Sequence, residues 1–388
     1  MSATVFAAPS AAAAAATDDE GLKALRALIA SDLAPKVQDI DQKAEYPEAF
    51  LRALGRAGGF RGAAEPAFGG NGRGLAHVIE VMDMVAQQCV STAFTMWCQT
   101  ACARYIQLSD NGALKRDMLP RIVSGEVLAG TGLSNTLKSC DGIEDYRLQA
   151  QRVEGGYLVN GVLPWVSNLG EGHVFVTGCP VRANGEDAGL AFLLIDCAQP
   201  GFRLVECAHF VGLDGTRTLA CHFRDTFVPD AHVLAHPQHA DDYIRRIKPG
   251  MIHAQMGMGL GLIDACAAMM EQSDRTHAHV NRFLDDQAGD IRSALDGARS
   301  AAQHLAQQID AGSAEVLDVL RLRLAGGELS VRAANAAMLH QGAKGYLLRN
   351  PAQRRLREAY FIAIVTPATK HLRREIARLE GGCDRAAA

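Results

Sequence analysis

Apolar positions along this chain change their spacing twice. Over 18–37, 47–57, 75–88 and 91–108 they recur at three and four residues, as on one face of a helix, and Gly58-Gly59 stops the second stretch. Between about 128 and 229 they fall instead in short β-type runs punctuated by Gly, Asn and Pro. Strands are expected at 146–153, 156–159, 173–178, 190–196, 202–205 and 219–227, with Glu154-Gly155-Gly156 as one of the turns and Pro229 as the close. The stretch from Met118 to Leu234 therefore reads as a β module enclosed by helices. From Asp241 the helical spacing returns. A segment at 244–270 is followed by a face of Ile291, Leu295, Ala298, Ala302, Leu305 and Ile309, then by Val316, Leu320 and Leu324. Val331, Ala334 and Met338 continue after Gly326-Gly327, and 351–379 ends the series. Four such helices with short polar turns pack as an antiparallel bundle. The expected division is a disordered Ala-rich tail (1–17), a helical domain (18–127), a β domain (128–235) and the bundle (236–388).

Composition narrows the function classes. Hydrophobic residues make up 48% of the 388 positions and charged residues 21%, an ordinary globular balance. A formal charge of -4 without a basic cluster carries no footprint for nucleic acid or a lipid surface, and no apolar run reaches membrane-span length. A small molecule is the expected partner. The ten cysteines include no C-x-x-C pair, and Cys98 and Cys102 share a helix face without the further ligands a zinc site needs. Free thiols in a reducing cytoplasm are expected. The start, Met1 to Thr17, has no basic segment of a secretory signal. His277 and His279, two apart on a helix, point to different faces and read as surface residues, so no metal is expected. The Gly-rich 62–72 loop follows no strand and carries no P-loop lysine, and reads as a structural turn.

Several short segments, in this order, resemble the acyl-CoA dehydrogenase family. They are Pro66-Ala67-Phe68-Gly69-Gly70-Asn71-Gly72, the 119–126 run Leu-Pro-Arg-Ile-Val-Ser-Gly-Glu, Val159-Asn160-Gly161, Trp165-Val166-Ser167-Asn168, the 223–229 segment, and the 351–359 run Pro-Ala-Gln-Arg-Arg-Leu-Arg-Glu-Ala. The resemblance covers about 24–379. It implies an α+β fold with an N-terminal helical domain, a central antiparallel β-barrel-like domain and a C-terminal four-helix bundle, assembled as a homotetramer around FAD, with FMN as the alternative cofactor. It places Thr131, Leu133 and Ser134 on the pyrimidine side of the flavin, and Trp165 and Ser167 against the ring, Ser167 within reach of N5. Gln341, Gly342 and Gly345 match the Gly-rich turn that meets FAD of a neighbouring subunit, with Ala343 and Lys344 departing from its usual residues. Arg275 is what remains of the family's pyrophosphate brace.

The chemistry departs from the family at one place. Acyl-CoA dehydrogenases take the α proton of a thioester with a carboxylate, whose pKa is tuned by burial. Counted from Arg357-Glu358-Ala359, that glutamate falls on Thr366, with Pro367 after it. Thr366 marks the catalytic position without being a base, and the pair reads as a helix start with Thr366 as N-cap. On the first bundle helix, where some members carry the base, Gly250 to Ile252 are not acidic. His253 reads as a core histidine, and Asp241 and Asp242 as first-turn charges. Three functions follow from the resemblance. The first is a flavin-dependent oxidoreductase acting on an acyl-CoA or similar thioester, coupled to an electron acceptor flavoprotein. The second is a two-component monooxygenase fed by a flavin reductase, whose histidine would have to be His371, a position that reads equally as solvent-facing. The third is a catalytically silent flavin or acyl-CoA binding protein.

Overall fold

The computed structural model describes residues 11–183 and 186–381. Helices α1 (Ala11–Leu28), α2 (Val37–Gln42), α3 (Glu48–Arg56), α4 (Gly74–Gln88), α5 (Val90–Gln107) and α6 (Gly112–Val123) come first. Strand β1 (Ala129–Thr131) leads into α7 (Leu133–Cys140). Then follow β2 (Leu148–Val153), β3 (Gly156–Val166), β4 (Val174–Ala183), β5 (Glu186–Asp196), β6 (Phe202–Glu206), β7 (Leu219–Pro229) and β8 (Val233–Ala235). The C-terminal helices are α8 (Ala240–Ala254), α9 (Met256–Asn281), α10 (Ala288–Asp310), α11 (Val316–Gln341), α12 (Pro351–Ile364) and α13 (Thr369–Leu379). Of the Ala-rich start, residues 1–10 lie outside the described residues, and 11–17 run into α1.

All six expected strands are present. They form one sheet in the order β6-β7-β3-β2-β4-β5-β8, with β1 beside β4. Two features differ from a closed antiparallel barrel: the path has free ends at β6 and β8, and β4 pairs in parallel with both β1 and β2. One face of the sheet buries its own core of Leu148, Val159, Leu163, Phe175, Cys179 and Phe223, separate from the large helical core. β1 and β8 span three residues each, too short to show any alternation.

The stretch 118–234 contains two helices, the first in the expected helical domain and the second inside the expected β domain. Met118 to Val123 belongs to α6, whose start is capped by Asn111 Oδ1 on the Leu114 amide (3.1 Å) and which tolerates Pro120 in its last turn. Residues 133–140 form α7, a helix with no long apolar period, held by docking: Thr136 Oγ1 donates to Gly178 O on β4 at 2.8 Å and accepts from Gly178 N at 3.2 Å.

The bundle segments expected at 244–270 and 351–379 are each broken. Gln255 separates α8 from α9, and 365–368 separates α12 from α13, with a cis peptide at Thr366-Pro367. The two breaks touch, since Gln255 Nε2 donates to Thr366 O at 2.9 Å. Thr366 is accordingly not an N-cap; α13 starts at Thr369 after Ala368. The buried stripe of α11 is also rotated from the expected one. Val316 is exposed, whereas Val319, Leu320, Arg323, Gly326, Gly327 and Ser330 face inward. The reason is close approach by α9: a Cβ on Gly326 would stand 2.7 Å from the Met256 side chain, and one on Gly259 3.0 Å from Ser330 Oγ.

Candidate functional site

Two edges of the β domain meet beside the bundle break. β1 runs next to the turn after β3, where fully buried Asn168 donates from Nδ2 to Ala129 O (2.8 Å) and accepts at Oδ1 from the Tyr46 hydroxyl (2.6 Å). Gly130 permits this approach, because a Cβ there would lie 2.6 Å from Ser167 O. On β3 the register with β7 shifts between Leu163 and Val166, and a bulge of this kind re-aims side chains. Trp165 sits in the shift and is 59% exposed, its ring in an edge-to-face arrangement with that of Phe210 at 6.0 Å. Two residues on, Ser167 is nearly buried, its Oγ 2.6 Å from Thr218 Oγ1.

Leu133 is buried at the start of α7, and exposed Ser134 follows it. Ser134 Oγ lies 2.7 Å from Thr366 Oγ1, so the β domain and the α12–α13 break meet hydroxyl to hydroxyl. Thr131 Oγ1 lies 3.2 Å from the Tyr105 hydroxyl, whose ionisation burial strongly opposes. The segment Thr131–Ser134 thus lies between the backbone of Ser167, which Gly130 approaches, and Thr366 at the bundle break. An exposed indole on β3, with the hydroxyls of Thr131, Ser134 and Ser167 at neighbouring strand ends, offers the kinds of group an isoalloxazine ring needs: an apolar surface and hydrogen-bond partners for its edge.

Two residues behind Thr366 carry no mark in the motifs. Gln255, which holds Thr366 O, accepts at Oε1 from Arg323 Nε at 2.8 Å, and Arg323 Nη2 donates to Ile362 O in the last turn of α12. Arg323 is 2% exposed, and burial pushes its pKa down to about 10. Its hydrogen-bond partners are an amide and a carbonyl, not a carboxylate. An arginine between Leu320 and the Gly326-Gly327 pair was the available sign, hidden because Val316, Leu320 and Leu324 fit a helical face equally well.

The histidines are accounted for elsewhere. His253 is fully buried and donates from Nε2 to Ala302 O at 2.8 Å; burial lowers its pKa. His371 is buried rather than solvent-facing: its Nε2 meets Asp141 Oδ2 at 2.8 Å, and Lys248 Nζ reaches both Asp141 oxygens at 2.8 and 2.9 Å. Burial works against the Asp141 charge, yet the bonds from His371 and Lys248 prevail and hold the carboxyl below the usual range. This cluster pins α13 and α8 to the end of α7. Asp141, His371 and Glu375 hold ligand-type atoms within 4.8 Å of one another, but Lys248 already matches Asp141, and Arg374 and Arg378 match Glu375. It is an ion-pair cluster.

The remaining residues stand apart. Arg275 is exposed on α9, twenty residues beyond Gln255, a separation of about 30 Å along a helix. Gln341 Nε2 donates to Met269 O at 3.0 Å, Gly342 has φ +57°, and Gly345 is buried against Met338 and Ala352. Ser273 Oγ donates to His340 O at 2.6 Å, which keeps these residues at the same end of the bundle as Arg275. His277 and His279 are exposed there too. A cleft of about 570 Å³ between Gln38, Gln87, Asp264 and Asn350 shares no lining residue with the Trp165 face, and its acids Asp41 and Asp264 are paired with Arg357 and Arg299.

Comparison with known proteins gives a consistent picture. The acyl-CoA dehydrogenase N-terminal domain model matches residues 16–126 and the C-terminal domain model residues 250–379. Mitochondrial isovaleryl-CoA dehydrogenase of Oryza sativa is 23% identical over 317 residues, 80% of this chain and 77% of that protein. Benzylmalonyl-CoA dehydrogenase of Aromatoleum aromaticum is 23% identical over 356 residues, 89% and 93% of the two chains. Butyryl-CoA dehydrogenase of Megasphaera elsdenii superimposes with a TM-score of 0.84 at 18% identity, covering 97% of this chain and 100% of that one.

Proposed function

The chain belongs to the acyl-CoA dehydrogenase family, whose members are FAD-dependent oxidoreductases, and from that premise we propose that it oxidises an acyl-CoA or similar thioester with Thr366 standing where the family places its glutamate. The observation that supports this reading is the 2.7 Å contact of Thr366 Oγ1 with Ser134 Oγ, which joins the bundle break to the segment that follows β1. FAD, when bound, supplies the hydride acceptor. The chain's part is to orient: Trp165 presents an apolar plane, Ser167 and Thr131 present polar groups to the ring edge, and Gln255 with Arg323 fixes the Thr366 carbonyl. Thr366 has no carboxylate to take a proton, so this chemistry suits a thioester whose α proton is labile enough to pass to water while the β hydride goes to the flavin.

The monooxygenase reading needs a free histidine near the ring, and His371 is committed to Asp141. A silent scaffold would have little use for a half-exposed indole at a strand bulge. The Arg275 and Gln341–Gly345 end lies too far along the bundle to serve the same chain's Trp165 face, which supports their meeting a neighbour's FAD. Phe283, Leu339, Tyr346 and Leu347, all more than 60% exposed, supply apolar surface for a homotetramer there. Among the described residues all nine cysteines are free, in keeping with a reducing cytoplasm, and no helix is long and apolar enough to cross a membrane. The test is an absorbance spectrum of the purified protein, then anaerobic titration with a panel of acyl-CoA thioesters. Bound FAD that bleaches with one of them, and re-oxidises with an electron acceptor flavoprotein, is expected; FAD untouched by the whole panel overturns the proposal.

A further inference from the structure

Three hydroxyls run in a line from the Trp165 face into the protein. Ser167 Oγ lies 2.6 Å from Thr218 Oγ1, Thr218 Oγ1 lies 2.8 Å from Thr216 Oγ1, and Thr216 Oγ1 lies 2.7 Å from Leu213 O. Each hydroxyl owns one hydrogen, and a carbonyl can only accept. The hydrogen of Thr216 is therefore spent on Leu213 O. The contact between Thr216 and Thr218 must then use the hydrogen of Thr218. The contact between Thr218 and Ser167 must in turn use the hydrogen of Ser167. The carbonyl at the far end sets the direction of the whole chain, and Ser167 is left with lone pairs alone for any partner on its other side.

The backbone around the chain allows no easy reversal. Leu213, Arg217 and Asn168 all hold positive φ, at 66°, 47° and 63°. Such strained positions persist only where the surroundings over-determine them. Here Asn168 N donates to Thr216 O at 2.9 Å, Arg217 lies over the Tyr46 ring at 3.9 Å, and a Cβ on Gly215 would stand 2.7 Å from Ile40 O. The turn that aims Thr216 and Thr218 is locked to α2 and to the loop after it.

We propose that Thr216 and Thr218 are positioning residues that preset Ser167 as a hydrogen-bond acceptor toward flavin N5, so that the site favours the reduced cofactor. This rests on the flavin reading above. Oxidised flavin offers a lone pair at N5 and meets the Ser167 oxygen lone pair to lone pair; reduced flavin carries a hydrogen there and can donate it. A hydrogen bond made in one redox state and withheld in the other shifts the ratio of affinities for the two states.

The direction is open to a direct test. Thr216→Val keeps shape and removes the hydroxyl. Thr218 is then free to donate to Ser167, and Ser167 to donate outward, which reverses the preference. Dye-coupled redox titration of the flavin-loaded protein is expected to show the two-electron potential of T216V below wild type by at least a tenfold change in relative affinity, about 30 mV for such a couple. Thr216→Ser restores the hydroxyl and should restore the potential. Should T216V not fold, T218V serves, with a fall in the same direction, because Ser167 loses the acceptor for its hydrogen. Wild-type protein that takes up neither FAD nor FMN overturns the flavin reading and this inference together. Flavin bound with an unchanged or raised potential in the variants overturns the inference alone.

Discussion

The two ends of α12 handle buried charge in opposite ways. In its first half, Arg354 at 2.8 Å and Arg355 at 2.9 Å donate to Glu358, which also takes the Val90 amide at 3.1 Å. Both guanidiniums also donate to carbonyls closing α4, at Gln88 and Ala86. All three side chains are at most 10% exposed, and every charge has a partner. At its other end, Arg323 is as deeply buried but meets only Gln255 and the Ile362 carbonyl, and the position beyond it is neutral Thr366. One end is a joint between domains. The other is a site with a cation and no resident anion, which is where a ligand's charge, or a charge that develops during reaction, would be felt most strongly.

Breaking the balanced end should cost the most. Glu358→Gln leaves two buried guanidiniums without a counter-charge, and removal of one partner from such a cluster costs about 3–5 kcal/mol. Urea denaturation of the variant checks this. A loss below about 1 kcal/mol would mean that the α4 carbonyls alone hold both arginines, and the contrast between the two ends would lose its basis.

Adding charge at the unbalanced end should act on rate instead. Thr366→Glu puts a carboxylate beside Ser134, with Arg323 one bridging side chain away. If the missing base limits α-proton removal, flavin bleaching by a reactive thioester in an anaerobic stopped-flow mixer should quicken by roughly a hundredfold, the lower range for a positioned base. Stability should change little. An unaltered or slower rate would separate position 366 from proton transfer.

How far these two ends could be read beforehand differs as well. The Arg357-Glu358-Ala359 landmark and the helical period of 351–379 point to the balanced end directly, and the six strand runs locate the β module that faces the other. The unbalanced end was hidden because it depends on contacts between distant segments. Nothing local in Ala254-Gln255-Met256 breaks a helix; the break is made where Gln255 turns to the Thr366 carbonyl. α7 exists because Thr136 and Asn135 find partners, at Gly178 and at Glu144 and Arg147, after the chain has folded. Thr216 and Thr218, two apart at the approach to β7, look like ordinary strand residues until Ser167 is placed beside them.

A pH titration distinguishes the ends more gently. His253 lies two residues before Gln255 in an apolar setting, and burial lowers its pKa. Above about pH 6.5 it is neutral in both folded and unfolded chains and contributes nothing. As pH falls through that value the unfolded chain binds a proton that the folded one refuses, so stability declines, by at most about 1.4 kcal/mol per pH unit for one group. His173, lowered by burial as well, adds to the same window. His253→Gln should flatten part of this decline between pH 6.5 and 5; an identical profile would assign the slope to other groups.

The smallest effect is expected at the hydroxyl contact itself. Ser134 is exposed and Thr366 half-buried, so water replaces either partner readily, and Ser134→Ala should lower stability by less than about 1 kcal/mol. Unlike the chain behind Ser167, this pair has no carbonyl to dictate which oxygen donates, and the two hydroxyls can exchange roles as a ligand demands. A double-mutant cycle of Ser134→Ala with Thr366→Val should therefore give a coupling near 0.5 kcal/mol in the ligand-free protein. Repeated with a thioester bound, the cycle should give a larger coupling if the pair jointly holds the ligand. A coupling that stays the same would make the contact a seam between β domain and bundle, and would move the proposed thioester site away from Thr366.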